Sequence, residues 1–244
     1  MSQRGGGPIA SFLFPKWTNK LRALILVVVL GLPAYAVLLV TYGASPLATA
    51  VGYSPPQPIP YSHAMHAGEL GIDCRYCHVT VERAATAALP PTQTCINCHN
   101  NQTGIRVRAA TGLPNPKLAV LQEAYYGSER VPAGLPIPWV RVHDLPDYVY
   151  FNHSAHVTRG VGCVTCHGRI DRMEVVYQAK PLSMGWCLEC HRDPAPNLRP
   201  LEAITDMLWM PPPGDARADL GRRLMQDYNI RGVEYMQTCS VCHR

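Results

Sequence analysis

The ten cysteines of this 244-residue chain fall into five copies of one pattern, Cys-x-x-Cys-His. The copies are Cys74-Arg-Tyr-Cys77-His78, Cys95-Ile-Asn-Cys98-His99, Cys163-Val-Thr-Cys166-His167, Cys187-Leu-Glu-Cys190-His191 and Cys239-Ser-Val-Cys242-His243. This spacing is the attachment site of a c-type haem, because the two thiols bond to the haem vinyl groups and the histidine reaches the iron as proximal ligand. Five copies that use every cysteine predict five covalently attached c-type haems.

Other interpretations of the pattern do not account for all five copies. A disulfide framework would not need a histidine after each cysteine pair. Structural zinc would pair two motifs per ion and leave one motif over. A thioredoxin-like redox protein would need a single Cys-x-x-Cys.

The remaining histidines match the remaining iron positions in number. Five haems have ten axial positions, and the motif histidines occupy five of them. The other histidines of the chain are His63, His66, His143, His153 and His156. The simplest prediction is that these five are the distal ligands and that every haem is bis-histidine.

His143 is the weakest member of this set because it lies outside the repeats described below, and it could be a structural histidine in a loop. A methionine would then take its place, or one iron position would stay open. The candidates are Met173, Met184 and Met236, and a methionine ligand would raise the potential of its haem.

A haem enzyme that reduces a small substrate needs an open iron position, and the ligand count leaves none. The count therefore predicts electron transfer with no catalytic residue of this chain's own. A pentahaem reductase with its own substrate is the alternative that an open iron would favour.

The chain contains an internal repeat around its histidine pairs. Residues 61–78 and 151–167 both read aromatic-x-His-x-x-His, then a short gap, then Cys-x-x-Cys-His, and the gap differs by one residue. A further motif follows each copy, which predicts dihaem units over about 61–99 and 151–191 and a fifth haem at 239–243. Histidines three apart on a helical turn project from nearly one face, so they can serve two neighbouring irons.

The composition, with 23 Pro and 19 Gly, predicts a mostly irregular chain with short α-helices organised around the haems. One helix is expected near 117–126. The net charge of +5 is mild and spread along the chain, and it does not indicate nucleic-acid binding.

Residues 23–42 form an uncharged, apolar run of 20 residues, long enough to cross a hydrocarbon core of about 30 Å. A cleaved signal peptide is the alternative, but its apolar region is usually only about 7–15 residues long. We expect a retained anchor in a bacterial cytoplasmic membrane. Its N-terminus is expected in the cytoplasm, because all the charged side chains that precede the run are basic. The expected organisation is a cytoplasmic N-terminus over 1–20, a transmembrane anchor over 21–43, a Pro-rich linker over 44–60 and a periplasmic haem domain over 61–244.

The five-motif layout, together with VHDLPDYVYFNHSAHV and PLSMGWCLECHR, resembles the pentahaem cytochrome c subunit of alternative complex III, a bacterial quinol:electron-acceptor oxidoreductase. The resemblance implies a subunit on the outer face of a membrane complex. It implies as partners an iron–sulfur subunit, multi-pass quinol-oxidising subunits, a monohaem cytochrome c, and a soluble electron carrier or terminal oxidase as acceptor.

The histidine pairs are also similar to those of small multihaem cytochromes of the c3/c7 type. That similarity implies that His63 ligates the haem at Cys74 and Cys77 while His66 ligates another, and that His153 and His156 divide in the same way. The rival interpretation is a stand-alone membrane quinol dehydrogenase of the NapC/NrfH type. In that class the first motif follows the span closely, whereas Cys74 lies about 30 residues beyond the apolar run.

Overall fold

The computed structural model describes residue 15 and residues 17–43, 45–100 and 115–243. The chain divides into two compact units, Met1–Thr49 and Ala50–Arg244. Most of the N-terminal segment expected to be cytoplasmic, residues 1–20, lies outside the described residues.

The described part of the first unit forms helix α1, Thr18–Gly43, and the short helix α2, Pro46–Thr49. Helix α1 has 26 residues and a mean hydropathy of 2.8 over its most apolar stretch, and none of that stretch is buried. By length and composition it can cross a membrane, as a signal sequence also could. The helix is compatible with the predicted anchor, and it continues through Pro33.

The second unit is built from short helices joined by loops, as the composition predicts, and the described residues form no strand beyond two isolated bridges. Its α-helices are α3 Cys74–Cys77, α4 Thr92–Ile96, α5 Ala119–Tyr126, α6 His153–Val157, α7 Cys163–His167, α8 Met184–Arg192, α9 Asp215–Asp227, α10 Val233–Met236 and α11 Cys239–Cys242. A π-helix spans Ala64–Glu69, and 3₁₀ turns span Pro116–Leu118, Ile170–Arg172, Ala195–Asn197 and Leu201–Ala203. The helix expected near 117–126 is confirmed.

Each Cys-x-x-Cys-His motif lies on one helical turn. In the first motif the His78 amide donates to the Cys74 carbonyl at 2.9 Å, and the second and fifth motifs make the same i to i−4 bond. The third and fourth motifs lie within helices α7 and α8. Local caps fix where two of these turns begin, since Asp73 accepts from the Arg75 amide and Ser183 from the Trp186 amide. The first cysteine and the histidine of each motif therefore share one helix face.

The two His-x-x-His segments also lie on helical turns, but of different kinds. His153 and His156 belong to α6, whereas His63 and His66 lie at the start of the π-helix. The wider π turn absorbs the additional residue of the first gap. As a result, the residue two before the first cysteine makes the same bond in both copies. The Ile72 amide donates to the His66 carbonyl at 3.0 Å, and the Val161 amide donates to the His156 carbonyl at 3.1 Å.

The buried apolar cluster of the second unit is small and centres on Ile59, Ile96 and Leu121. Residues 50–60, expected as part of a spacer, pack within this unit: the Gln57 side chain exchanges two hydrogen bonds of 2.9 Å with the backbone of Val140. None of the large side chains among the described residues is fully buried. The tertiary structure therefore depends on many local turns and on long-range backbone hydrogen bonds.

Candidate multihaem site

None of the ten cysteines is in a disulfide, as covalent haem attachment requires. Cys98 and Cys239 are exposed, and the other eight are half-buried. Among the described residues no three His, Cys, Asp or Glu side chains converge on one point where an ion would be held directly. The imidazoles instead form pairs, as the ring-centre distances below show.

Six histidines place Nδ1 within 3.2 Å of a backbone carbonyl oxygen. The pairs are His66 with Ser62, His78 with Ala88, His153 with Ala85, His156 with Asn152, His191 with Met236 and His243 with Tyr148. A carbonyl oxygen can only accept, so Nδ1 carries the proton and Nε2 keeps its lone pair. This is the tautomer and orientation that a metal-ligating histidine needs.

Three further histidines have a buried ring nitrogen with no hydrogen-bond partner: Nδ1 of His63, Nδ1 of His99 and Nε2 of His143. A buried polar atom without a partner is rare in folded proteins. Burial lowers the pKa of His63 to about 4 and that of His167 to about 3. The imidazoles of His63 and His167 are therefore neutral at physiological pH, as iron ligation requires.

Three pairs of imidazoles face each other at nearly equal separations. The ring centres are 6.1 Å apart in His66 and His99, 6.4 Å in His153 and His167, and 6.1 Å in His156 and His191. Two imidazoles on opposite sides of one metal, each bonded at about 2 Å, place their ring centres about 6 Å apart. Each pair joins a histidine of a His-x-x-His segment to a histidine of a Cys-x-x-Cys-His motif, and thus fits the two axial positions of one haem.

The pairing divides each His-x-x-His segment between two motifs. His153 faces the third motif and His156 the fourth, while His66 faces the second. His63 occupies the position in its segment that His153 has in the other, and after burial the nearby His78 contributes most to lowering its pKa. This placement agrees with the division implied by the similarity to c3/c7-type cytochromes, and the ligand set itself stays a prediction.

The aromatic residue before each histidine pair positions both imidazoles. Tyr61 meets His63 edge-on at 4.8 Å and 87° and stacks on His66 at 4.4 Å and 24°. Phe151 meets His153 at 4.8 Å and 87° and stacks on His156 at 4.6 Å and 26°. The repeat pointed to these aromatic positions in the sequence, but only the structure shows that each ring orients two histidines.

The structure does not bring His143 into a pair of this kind. Its ring centre is 4.6 Å from that of His167 at 75°, which is too close for an iron between the two. The loop that carries His143 runs to the fifth motif, where the Tyr150 amide donates to the Cys242 carbonyl at 2.6 Å. His243 itself stacks with Tyr148 at 5.9 Å.

The three methionines differ in their surroundings. Met173 is buried, and its carbonyl accepts a hydrogen bond from the Ala64 amide at 3.1 Å. Met184 begins helix α8 and is 66% exposed, and Met236 accepts at its carbonyl from His191. None of these positions singles out a methionine as an iron ligand, so the choice between His143 and a methionine stays open.

Arg199 is a residue of this site that the sequence did not indicate. It is 7% exposed, and its guanidinium donates to the carbonyls of Ala203 at 3.3 Å and Asp206 at 2.9 Å. Burial lowers the pKa of this guanidinium below its usual value. The side chain lies against Gly162, directly before the third motif, and carries the cation over the ring of Trp209 at 4.9 Å. It holds the loop after residue 198 against the third motif.

Comparison with known proteins adds one partial similarity. No family model matches the chain. Over 111 residues, 46% of the chain, it is 33% identical to the menaquinone reductase, multihaem cytochrome c subunit, of Nitratidesulfovibrio vulgaris strain Hildenborough. The match spans 45% of that relative, so the chain covers about half of its length.

Proposed function

We propose that the chain is a membrane-anchored c-type cytochrome with five covalently attached haems that relays electrons within a quinone-reactive membrane complex. More specifically, we propose the multihaem subunit of a quinol-oxidising alternative complex III. The observation that carries the proposal is the set of three imidazole pairs at 6.1–6.4 Å, each of which includes a Cys-x-x-Cys-His histidine.

The residues of the chain would hold the haems by two kinds of bond. The ten motif cysteines supply the thioethers, and the motif histidines supply one axial ligand each. His63, His66, His153 and His156 supply four of the remaining ligands, with His143 proposed as the fifth. A haem bound in this way supplies a one-electron couple, whose potential the axial ligands and their hydrogen bonds set.

The surrounding protein orients the imidazoles for this role. Backbone carbonyls take up Nδ1–H and leave Nε2 free, as for His156 and the Asn152 carbonyl at 2.7 Å. Phe151 stacks on the His156 ring and limits its rotation, and burial lowers the pKa of His156, which favours its neutral form. Pre-oriented ligands reduce the rearrangement that accompanies a change of charge, which suits electron transfer rather than substrate binding.

Helix α1 supports attachment to a membrane, and the basic residues before it support a cytoplasmic N-terminus with the haem domain on the periplasmic face. The proposed partners are those of the resembling complex: an iron–sulfur subunit, multi-pass quinol-oxidising subunits, a monohaem cytochrome c, and a periplasmic carrier or terminal oxidase.

A second candidate is the opposite direction of electron flow, towards the quinone pool. The partial similarity to a menaquinone reductase subunit favours it. Both candidates need the same relay, and they differ in whether the intact complex oxidises quinol or reduces quinone.

The first test is haem stoichiometry and spin state of the purified protein. We expect five haems per chain by pyridine haemochrome assay and low-spin ferric signals alone in electron paramagnetic resonance (EPR) spectra. Fewer haems would contradict the pentahaem proposal, and a high-spin haem would favour a reductase with an open iron position.

The second test separates the candidate complexes. The native complex, isolated by an affinity tag on this chain, is assayed with quinol plus an oxidised acceptor and with quinone plus a reduced donor. Quinol oxidation by the complex supports the alternative complex III assignment, and quinone reduction supports the second candidate. Robust quinol oxidation by the isolated chain would instead support a stand-alone dehydrogenase.

A further inference from the structure

We infer that the five haem attachment sites lie in the spatial order second, first, third, fourth, fifth, which differs from their order along the chain. The first and third sites lie at the centre of a pseudo-two-fold pair of repeat units, and the second and fifth sites form the two ends. The inference rests on the proposed function, because it concerns the sites that the proposed haems occupy.

The two repeat units exchange equivalent backbone hydrogen bonds. The Ala64 amide, next to His63, donates at 3.1 Å to the carbonyl of Met173, six residues after the third motif. The Ser154 amide, next to His153, donates at 3.1 Å to the carbonyl of Ala84, six residues after the first motif. Each histidine segment is thus docked on the chain that follows the other unit's first motif, which is the relation that a two-fold axis produces.

The side chains of the two units obey the same relation. Tyr61 and Phe151 hold their histidine pairs with the same edge-on and stacked geometry, within 0.2 Å and 2°. The one-residue difference in gap length does not disturb this match, because the π turn after His63 absorbs the additional residue. The repeat is therefore a structural one, and the two first motifs occupy equivalent places.

The first and third motifs meet at the centre of this arrangement. The Cys163 amide donates to the Ile204 carbonyl at 3.1 Å, and the hydroxyl of the next residue, Thr205, donates at 2.8 Å to Asp73, directly before Cys74. His78 and His63 of the first unit both contribute to lowering the pKa of His167 in the third motif. Since these cysteines are attachment points, the first and third sites adjoin each other directly.

The second and fourth motifs flank this centre. His66 belongs to the first unit yet faces His99 of the second motif, and the Asn97 side chain of the second motif donates to the Tyr76 hydroxyl of the first at 3.2 Å. On the other side, His156 faces His191 of the fourth motif. The second site therefore adjoins the first, and the fourth adjoins the third.

The fifth motif attaches to the fourth. Nδ1 of His191 donates at 3.0 Å to the carbonyl of Met236, three residues before Cys239, and Arg192 donates to the Gln237 side chain at 3.2 Å. This extends the row by one site beyond the two-fold pair.

Exposure of the cysteines agrees with this order independently. The two exposed cysteines are Cys98 of the second motif and Cys239 of the fifth. The inferred ends of the row are therefore its most solvent-accessible points in this chain. The second and fifth sites are the places where an external donor and acceptor would approach.

The test compares two variants of neighbouring histidines on the same turn, His66→Met and His63→Met. A methionine ligand raises the potential of its haem, so at an intermediate poise the altered haem is reduced and diamagnetic while its neighbours are still ferric. Loss of its magnetic coupling changes the EPR signals of the adjoining haems only. We expect the second-site variant His66→Met to change the signal of one other haem and the first-site variant His63→Met to change two.

The chain order of the motifs predicts the reverse, two changed signals for His66→Met and one for His63→Met, and that result would overturn the inference. Unchanged signals in both variants would overturn it as well. If a variant loses the altered haem, the same count applies, because an absent haem also removes the coupling. Pyridine haemochrome assay of the unmodified protein distinguishes failure of the proposed function from failure of the spatial order. Fewer than five haems refutes the proposed function, whereas five haems with the reverse EPR pattern refutes only the order.

Discussion

His156 and His191 lie with their ring planes 27° from parallel and their centres 6.1 Å apart, although 35 residues separate them in the chain. Helix α6 carries the first imidazole and helix α8 the second. The carbonyls of Asn152 and Met236 hold their Nδ1 atoms at 2.7 and 3.0 Å. Both Nε2 atoms are thus left free for one iron.

Replacement of His156 by Ala should leave one haem five-coordinate, because its thioethers and His191 stay in place. We expect five haems per chain by pyridine haemochrome assay and one new high-spin ferric signal in the EPR spectrum, which added imidazole should remove. The control is Ser154→Ala on the same helix, whose hydroxyl donates to the Asn152 side chain at 2.7 Å. A spectrum of His156→Ala that stays entirely low-spin would refute the ligand role.

Substitution can decide whether His143 or a methionine is the fifth distal ligand. If His143 is a distal ligand, His143→Ala should convert one haem to the high-spin form, because the Nε2 atom that is buried without a hydrogen-bond partner would be lost. Met184→Leu and Met236→Leu should leave all five haems low-spin. The opposite outcome would assign the ligand to methionine: an unchanged spectrum for His143→Ala and a high-spin haem in one of the methionine variants.

The aromatic ring before each histidine pair should stabilise the holoprotein, whether or not the ring carries a hydroxyl group. Phe151→Ala removes a ring stacked on His156 and edge-on to His153, so we expect a loss of about 2 kcal/mol in the free energy of unfolding of the holoprotein. Phe151→Tyr is the matched control, because Tyr61 fills the equivalent position in the other unit. Thermal unfolding followed by circular dichroism measures both, and equal melting temperatures for the two variants would contradict the packing role.

Gly162 should not tolerate a side chain. A Cβ atom there would meet Nε and Cζ of Arg199. Because Nη1 of the same guanidinium donates to the carbonyls of Ala203 and Asp206, the side chain cannot move away freely, and Gly162→Ala should destabilise the holoprotein by about 1–3 kcal/mol. Gly185 in helix α8 is the control, because a Cβ there meets nothing within 4 Å and alanine favours a helix by up to about 1 kcal/mol. Denaturant unfolding measures the pair, and the proposed packing is wrong if Gly162→Ala is as stable as Gly185→Ala.

The first motif should carry an acid-sensitive contact. Hydrogen bonding to Arg75 lowers the pKa of Asp73 from 3.8 to about 2, and the same carboxylate accepts from the Thr205 hydroxyl at 2.8 Å. The lowered pKa means that the contribution to stability is full above pH 3.8 and is lost as the pH falls towards 2. Asp73→Asn keeps a helix-capping side chain without the charge, so its stability should depend less on pH between 4 and 2.

The control for this prediction is Asp144→Asn, which removes the carboxylate of an ion pair with Arg141 whose side chains are 65% and 75% exposed. Such exposed pairs contribute little to stability. The free energy of unfolding at several pH values measures both variants. If Asp73→Asn has the same slope below pH 4 as the unmodified protein, the contact is not acid-sensitive.

The features that can be read from the sequence are those encoded by neighbouring residues. The five Cys-x-x-Cys-His motifs, the aromatic-x-His-x-x-His repeat and the apolar run of α1 each depend on spacings of a few residues, and local helical turns then place their side chains. The mostly irregular fold with short helices followed from composition. The equal numbers of histidines and axial positions also came from counting alone.

The tertiary structure decided which motif adjoins which, because that depends on hydrogen bonds between residues far apart in the chain. The amides of Ala64 and Ser154 could have docked elsewhere, and no local pattern reveals that they bind opposite units. It also decided that the spacer residues around Gln57 pack within the second unit and that Arg199 is buried beside the third motif. The residues that make a haem site are local in sequence, whereas the order of the sites is a property of the fold.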